Sequence, residues 1–172
     1  FGSNDAELDL AKEAYEELND IYIVVDSLAS DTYSAWRYGI YDDPFSKDEL
    51  SNEVSLSSSD LTGDACDLLF LLDDFSIPVL CVQDTHEALG NYSTVRNRLN
   101  SVRESIISLR DSNDEDTELL SRDLQTYYTN INSLLNLAED YSGSFTSLQS
   151  DISDFRNQVN QSKDSLEFDL GR

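Results

Sequence analysis

Residues 120–159 read LSRDLQTYYTNINSLLNLAEDYSGSFTSLQSDISDFRNQV, and their apolar side chains recur at intervals that alternate between three and four. The positions are Leu120, Leu124, Tyr127, Ile131, Leu134, Ala138, Tyr141, Phe145, Leu148, Ile152, Phe155 and Val159. A period of about 3.5 residues is typical of a helix that packs along its length against other helices. The stretch therefore predicts an all-α protein whose last helix runs from about residue 114 to about residue 167.

Three more helices are predicted upstream, at about 5–38, 47–76 and 84–110. The clearest local signal is a capping box at the start of the second, where Ser46 precedes Glu49 by three positions. The hydroxyl of the first residue and the carboxylate of the second then satisfy backbone N–H groups that a helix start leaves unpaired.

The continuity of the second helix and the start of the third are less clearly defined. Gly63 and the serines 57–59 lower the helix propensity of the second, so we expect its middle to fray or kink. The third has two candidate starts, a capping residue at Asp84 or a proline in the first turn at Pro78.

Short connections make consecutive helices antiparallel neighbours. The sequence thus predicts one domain over residues 1–172, an antiparallel up-down-up-down four-helix bundle with long first and last helices. The last helix exceeds the first in predicted length, so its end would project beyond the bundle. A projecting helix suggests a homodimer, a helical protein partner, a membrane anchor or frayed disorder.

The charge balance is strongly acidic, with 35 Asp and Glu against 11 Lys and Arg and a formal net charge of −24. Three interpretations stay open: adaptation to molar salt, a docking face for a basic partner or for divalent cations, and plain solubility. Scarce lysine favours salt adaptation. Nucleic acid is not an expected partner, because a phosphate backbone requires a basic stripe of matching extent.

Cys66 and Cys81 are the two cysteines of the chain. An even count permits a disulfide. If the second helix runs to Phe75, however, Cys66 lies about 15 Å below the turn that precedes Cys81. A disulfide, two buried thiols and a reactive pair all remain open.

No cluster of residues carries recognisable catalytic or cofactor chemistry, and we predict neither an enzyme nor a metal or cofactor site. His86 is interpreted as a solvated surface residue. The acidic turn after Arg110 has acidic and amide side chains at alternate positions, like a calcium loop. Asp116 stands where such a loop requires glycine and Arg122 where it requires a bidentate glutamate, so the turn is better explained as a helix cap.

Ligand binding is predicted, if anywhere, at the end of the bundle opposite the chain termini. Arginines there would grip a small carboxylate beside aromatic side chains. The candidate residues are Arg37, Arg110, Arg122, Tyr33, Trp36 and Tyr127.

In helix number and polarity this pattern resembles the four-helix input domains of chemoreceptors and sensor kinases, whose first and last helices continue into a membrane. The resemblance implies an extracytoplasmic, membrane-tethered or cell-surface domain, with its tether outside this chain and a sensory or ligand-binding role. A structural or adaptor bundle acting through the projecting helix is the alternative, and it would also suit the cytoplasm. A cation-binding acidic protein is a third hypothesis.

Overall fold

The computed structural model describes residues 2–171, with side chains from Asp5 onward. Within that part the chain forms seven helices and no strand. They are α1 (Gly2–Tyr41), α2 (Lys47–Glu53), α3 (Asp64–Asp67), α4 (Ile77–Ala88), α5 (Asn91–Arg110), α6 (Glu115–Glu139) and α7 (Phe145–Asp169). The predictions of an all-α fold and of long first and last helices are confirmed.

The predicted last helix, 114–167, is wrong as one continuous helix. It is a pair, α6 and α7, separated at residues 140–144. Asp140 and Ser144 both have extended backbones, and the Ser144 hydroxyl accepts the N–H of Ser147 at 3.1 Å to cap α7. The chain turns back here, so the single long last helix that was expected to project is absent.

The predicted second helix, 47–76, is also wrong beyond its first two turns. Its start and half of its capping box are confirmed, since the Ser46 hydroxyl accepts the N–H of Glu49 at 3.1 Å, whereas the N–H of Ser46 donates to the Tyr38 hydroxyl at 3.0 Å instead of to Glu49. The helix ends at Glu53 because Val54 is extended, and the backbone N–H of Ser55 instead donates to the Asp31 carboxylate at 2.8 Å.

The predicted third helix, 84–110, begins earlier and is interrupted. Its start is at Ile77, with Pro78 in the first turn, so the second of the two candidate starts is correct. Gly90, in the left-handed region at φ 75°, separates α4 from α5. An L-residue with a side chain rarely adopts that conformation, which explains the glycine at this position.

The four longest helices surround one core. We call it the long-helix core; it contains the buried apolar residues of α1 from Ala11 to Ala29 and those of α5, α6 and α7. Burial of Leu18, Ile131 and other fully enclosed side chains stabilises this packing by about 1.5–3 kcal/mol each before chain entropy is subtracted.

A second buried cluster lies beyond it and is called here the disulfide core. It combines the last turns of α1, from Ala35, with α2, α3, the first turns of α4 and the intervening loops as far as Val82. Tyr38 and Phe45 pack ring to ring at 5.5 Å within it. The helix α1 is therefore shared by two successive cores.

Side-chain bonds between helices give the directions of the chain. Arg98 of α5 donates to Glu17 at 2.7 Å, and Tyr15 donates to Glu167 of α7 at 2.7 Å. Arg156 of α7 donates to Asp26, so α7 runs antiparallel to α1 and ends beside its first half; we call that end of the molecule the terminal end. His86 of α4 lies beside Asp31, and Arg98 of α5 lies beside Glu17, so α4 and α5 together run antiparallel to α1.

Candidate interaction surface

The six residues predicted to bind a ligand fall into two separate groups. Tyr33 and Trp36 lie in the second half of α1. The centroids of their rings lie 5.2 and 6.3 Å from that of Phe145. Arg37 follows on the same helix and is exposed.

The other three residues lie toward the terminal end. Arg110 contacts Asp111 at 3.6 Å, and Arg122 contacts Glu118 at 2.9 Å. Tyr127 is fully buried, and burial raises the pKa of its hydroxyl, which donates to Asn19 at 2.5 Å. The predicted placement failed because it counted a long second helix that the structure lacks, which put Arg110 at the opposite end from its true position.

Three of the six predicted residues line clefts. Arg110 lines a small space of about 60 Å³ between α5 and α6, and Arg122 lines an open one of about 410 Å³ on α6. Tyr33 faces a space of about 550 Å³ between α1 and α7, beside Ser30, Arg156 and Asn157. Arg156 bridges the two helices, because it donates to Asp26 at 2.6 Å and to Ser30 at 2.7 Å. Sequence reasoning missed this arginine, and ligand binding at Tyr33 stays a prediction.

The two cysteines form a disulfide, Cys66–Cys81, with Cα atoms 4.5 Å apart. The expected separation of the two residues was too large because it assumed a helix through to Phe75. In fact α3 ends at Asp67, and the chain folds back at once through residues 68–76 into α4. The bond therefore closes a loop and ties α3 to α4.

Among the residues with described side chains, five of the twelve large apolar side chains exposed to solvent lie in that loop. Phe70 is 75% exposed, and Leu71 and Leu72 after it are 63% and 47% exposed, whereas Leu69 before it is buried. We define the apolar surface as these loop residues with the adjoining end of α1: Ile40, Tyr41, Phe70, Leu71, Leu72, Phe75 and Leu80. Such a concentration on a chain of net charge −24 is unusual for a surface whose only task is solubility.

Backbone packing holds the two parts of the apolar surface together. Gly39 lies against the carbonyl of Phe75, and a Cβ atom at this position would collide with that oxygen. The absence of a side chain therefore lets the loop contact α1 directly, next to Ile40 and Tyr41.

A buried polar layer lies between the two cores. His86 is 2% exposed, and its Nε2 lies 2.8 Å from a carboxylate oxygen of Asp31, so its interpretation as a surface residue is wrong. Asn91 contacts Nδ1 of the same ring at 2.9 Å, and Ser55 donates to Asp31 through both its N–H and its hydroxyl. The network joins α1, the segment after α2, α4 and α5.

The buried polar layer also supplies hydrogen-bond donors to a backbone carbonyl at the end of α6. The carbonyl of Ala138 lies in the last turn, where a helix leaves carbonyls without an internal partner. It accepts bonds from Thr32 at 2.6 Å and from Gln83 at 3.1 Å. Among the residues with described side chains, no buried polar side-chain atom lacks a partner. The layer therefore fixes the disulfide core on top of the long-helix core.

This network does not have the arrangement of a hydrolytic triad. Ser55 bonds directly to Asp31, whereas a nucleophilic serine must bond to the histidine that accepts its proton. The second ring nitrogen of His86 contacts the amide of Asn91. The groups thus satisfy one another in the interior.

A second cleft, of about 540 Å³, lies at the terminal end between the starts of α1 and α6 and the end of α7. It has apolar and acidic walls, formed by Leu8, Leu119, Leu120, Asp114, Asp116, Thr117, Asp123 and Asp169. Burial, together with a hydrogen bond to Asp169, raises the pKa of Asp123 to about 6. Over the described residues, no three His, Cys, Asp or Glu side chains are grouped as a metal site.

Comparisons with protein-family models, curated proteins and solved structures found no match to this chain. Between residues 2 and 171, no helix is both long and apolar enough to cross a membrane.

Proposed function

We propose that this chain is a non-catalytic extracytoplasmic domain of a membrane-anchored protein from a salt-adapted organism, and that it recognises a partner through the apolar surface. The observation that carries the proposal is the loop between Cys66 and Cys81. It exposes large apolar side chains, and a disulfide and a buried core hold it in place.

The disulfide supports an extracytoplasmic location. Disulfides form and persist in oxidising compartments, whereas cytosolic thiol systems keep most cysteines reduced. The pair also closes a segment that has little regular structure of its own, since α3 spans only Asp64–Asp67. A covalent link is of most use to such a segment, because it removes conformations from the unfolded chain.

The arrangement of the two cores supports a displayed recognition surface. Leu8 and Asp169 line one cleft at the terminal end, whereas the apolar surface adjoins the other end of α1. A helix rises about 1.5 Å per residue, so the 40 residues of α1 separate these ends by about 60 Å. A tether joined at the terminal end would leave the apolar surface free to meet a partner.

The two alternative hypotheses have less support. An adaptor acting through a projecting last helix loses the feature on which it rested, because α6 and α7 fold against each other. A cation-binding role has no grouped ligand set among the described side chains. Recognition through the apolar surface is therefore the function that we develop.

The proposal can be tested in intact cells of the organism that encodes the protein. A membrane-impermeant protease or antibody should reach the domain, and alkylation before and after reduction should show Cys66 and Cys81 oxidised. A domain that is protected until the cells are lysed, with both thiols free, would contradict the proposal.

A further inference from the structure

We propose that the partner of the apolar surface is a basic amphipathic protein segment, one that carries apolar side chains flanked by lysine or arginine. This inference deepens the proposed function and rests on it. It combines three properties of the surface: its apolar centre, the carboxylates around it and the charge of the whole chain.

The apolar centre supplies the attraction. Phe70 and Leu71 are 75% and 63% exposed, so a partner that covers them removes large areas of hydrocarbon from water. Removal of apolar surface from water is the dominant favourable contribution to most protein association. Aromatic and aliphatic centres with a polar rim are the usual composition of protein interfaces.

The rim of the surface is acidic. Asp42 and Asp43 directly follow Tyr41, and Asp73 and Asp74 lie in the loop between Leu72 and Phe75. All four carboxylate side chains are exposed. A partner that lays apolar side chains on the centre must therefore place its flanking groups against carboxylates.

The nearby cations do not cancel this charge. Lys47 is already engaged, because its ammonium lies 3.8 Å from Asp67. Arg37 is exposed one turn before Tyr41 and adds one positive charge. The rim thus remains negative, and it is complementary to lysine or arginine on the partner.

The same charge disfavours two other occupants. A second copy would bring an identical acidic rim and a further net charge of −24 to the contact. An anionic membrane would repel the rim as well. In concentrated salt the interaction between separated exposed charges is screened, whereas charge pairs that a bound partner partly buries are screened much less.

The experiment measures binding of two labelled 18-residue helical peptides, one of leucine and lysine and one of leucine and glutamate. Fluorescence anisotropy is recorded in salt that keeps the protein folded by circular dichroism. We expect the lysine peptide to bind at least tenfold more tightly than the glutamate peptide. Equal affinity for the two peptides, or no binding of the lysine peptide, would overturn the inference.

Matched variants separate recognition by this surface from general attraction to an acidic chain. The double variant Phe70→Ser, Leu71→Ser should weaken lysine-peptide binding at least tenfold. The control Phe168→Ser, Leu119→Ser removes exposed apolar groups at the terminal end and should change binding less than twofold. If the two double variants weaken binding of the lysine peptide equally, the inference is overturned.

Charge variants complete the test. Asp42→Asn with Asp73→Asn should weaken binding about threefold, and Asp9→Asn with Asp164→Asn, equal in charge but remote, should have a smaller effect. Self-association in sedimentation, or flotation with phosphatidylglycerol vesicles, that is lost in the Phe70 and Leu71 variant would assign the surface to another occupant and reject the basic segment. The cellular location test uses no peptide, so the proposed function can stand if this inference fails.

Discussion

The imidazole of His86 and the carboxylate of Asp31 lie 2.8 Å apart in the interior, although 55 residues separate them in the chain. They are 2% and 4% exposed. Because His86 belongs to α4 and Asp31 to α1, the pair attaches the disulfide core to the helix that both cores share.

Replacing the histidine should destabilise the protein strongly. His86→Ala removes one partner of a buried carboxylate, and we expect a loss of about 3 kcal/mol in the free energy of unfolding. Chemical denaturation measures this change. As a control, Arg122→Ala removes one member of an exposed pair and should cost less than about 0.5 kcal/mol. Similar losses in the two variants would show that the buried pair adds nothing special.

Removing the disulfide should loosen one core and spare the other. The bond spans a sequence separation of 15, and loops of that length are stabilised by about 3 kcal/mol in the chain-entropy model. In Cys66→Ala, Cys81→Ala we expect faster hydrogen exchange between α2 and α4 and little change in α5, α6 and α7. Equal acceleration in all helices would mean that the two cores unfold as one unit.

Stability should depend on pH through Asp123. Its pKa is raised to about 6 in the folded protein from an ordinary value of 3.8, so between these values the folded state binds the extra proton. Its contribution to stability therefore falls as pH rises from about 4 to about 6. Above that range the folded protein contains the partly buried, charged carboxylate of Asp123, which destabilises it. Asp123→Asn should raise stability at pH 7.5 by on the order of 1 kcal/mol, with little effect at pH 4.

Denaturation at pH 4, 6 and 7.5 tests this prediction. The exposed Asp164→Asn variant is the control for loss of a negative charge. If both variants gain the same stability at pH 7.5, the gain reflects net charge rather than the Asp123–Asp169 contact.

The dependence of thermal stability on salt concentration should distinguish between the interpretations of the acidic composition. If the carboxylates are an adaptation to molar salt, thermal unfolding followed by circular dichroism should show a much lower midpoint at about 0.1 M KCl than at about 3 M KCl. Full stability at the lower concentration would contradict salt adaptation. Restoration by millimolar Ca²⁺ alone would instead favour the cation-binding hypothesis.

Local signals in the sequence predicted local structure correctly. Ser46 caps a helix start where expected, and Asp114 caps α6 through the N–H of Thr117 at 3.1 Å. These assignments succeed because a cap depends on residues within one turn. The alternation of three and four correctly identified buried positions such as Ile131 and Ile152 on both α6 and α7.

The same pattern hid the turn between α6 and α7. Its spacing continues in phase across residues 140–144, because Tyr141 and Phe145 are also apolar and pack on Trp36. The signal that was available is the SGS run at 142–144, since serine and glycine clusters favour turns. Periodicity alone cannot distinguish a long helix from a hairpin whose two arms face the same core.

The apolar surface and His86 could not be assigned from sequence for a different reason. Residues 68–72 are an apolar run like any core segment, and the exposure of residues 70–72 depends on where the chain folds back to form the disulfide. The burial of His86 depends on Asp31, which lies 55 residues earlier. Both features are set by long-range packing.

The central claim is that the apolar surface meets a partner, and site-specific photo-crosslinking in intact cells tests it most directly. The full-length protein would carry p-benzoylphenylalanine in place of Phe70 or, as a control, Phe168, whose exposures of 75% and 84% are similar. We predict a discrete cross-linked protein from position 70, joined through a segment of apolar and basic residues, and none from position 168. No adduct at position 70, or the same adducts from both positions, would contradict the account.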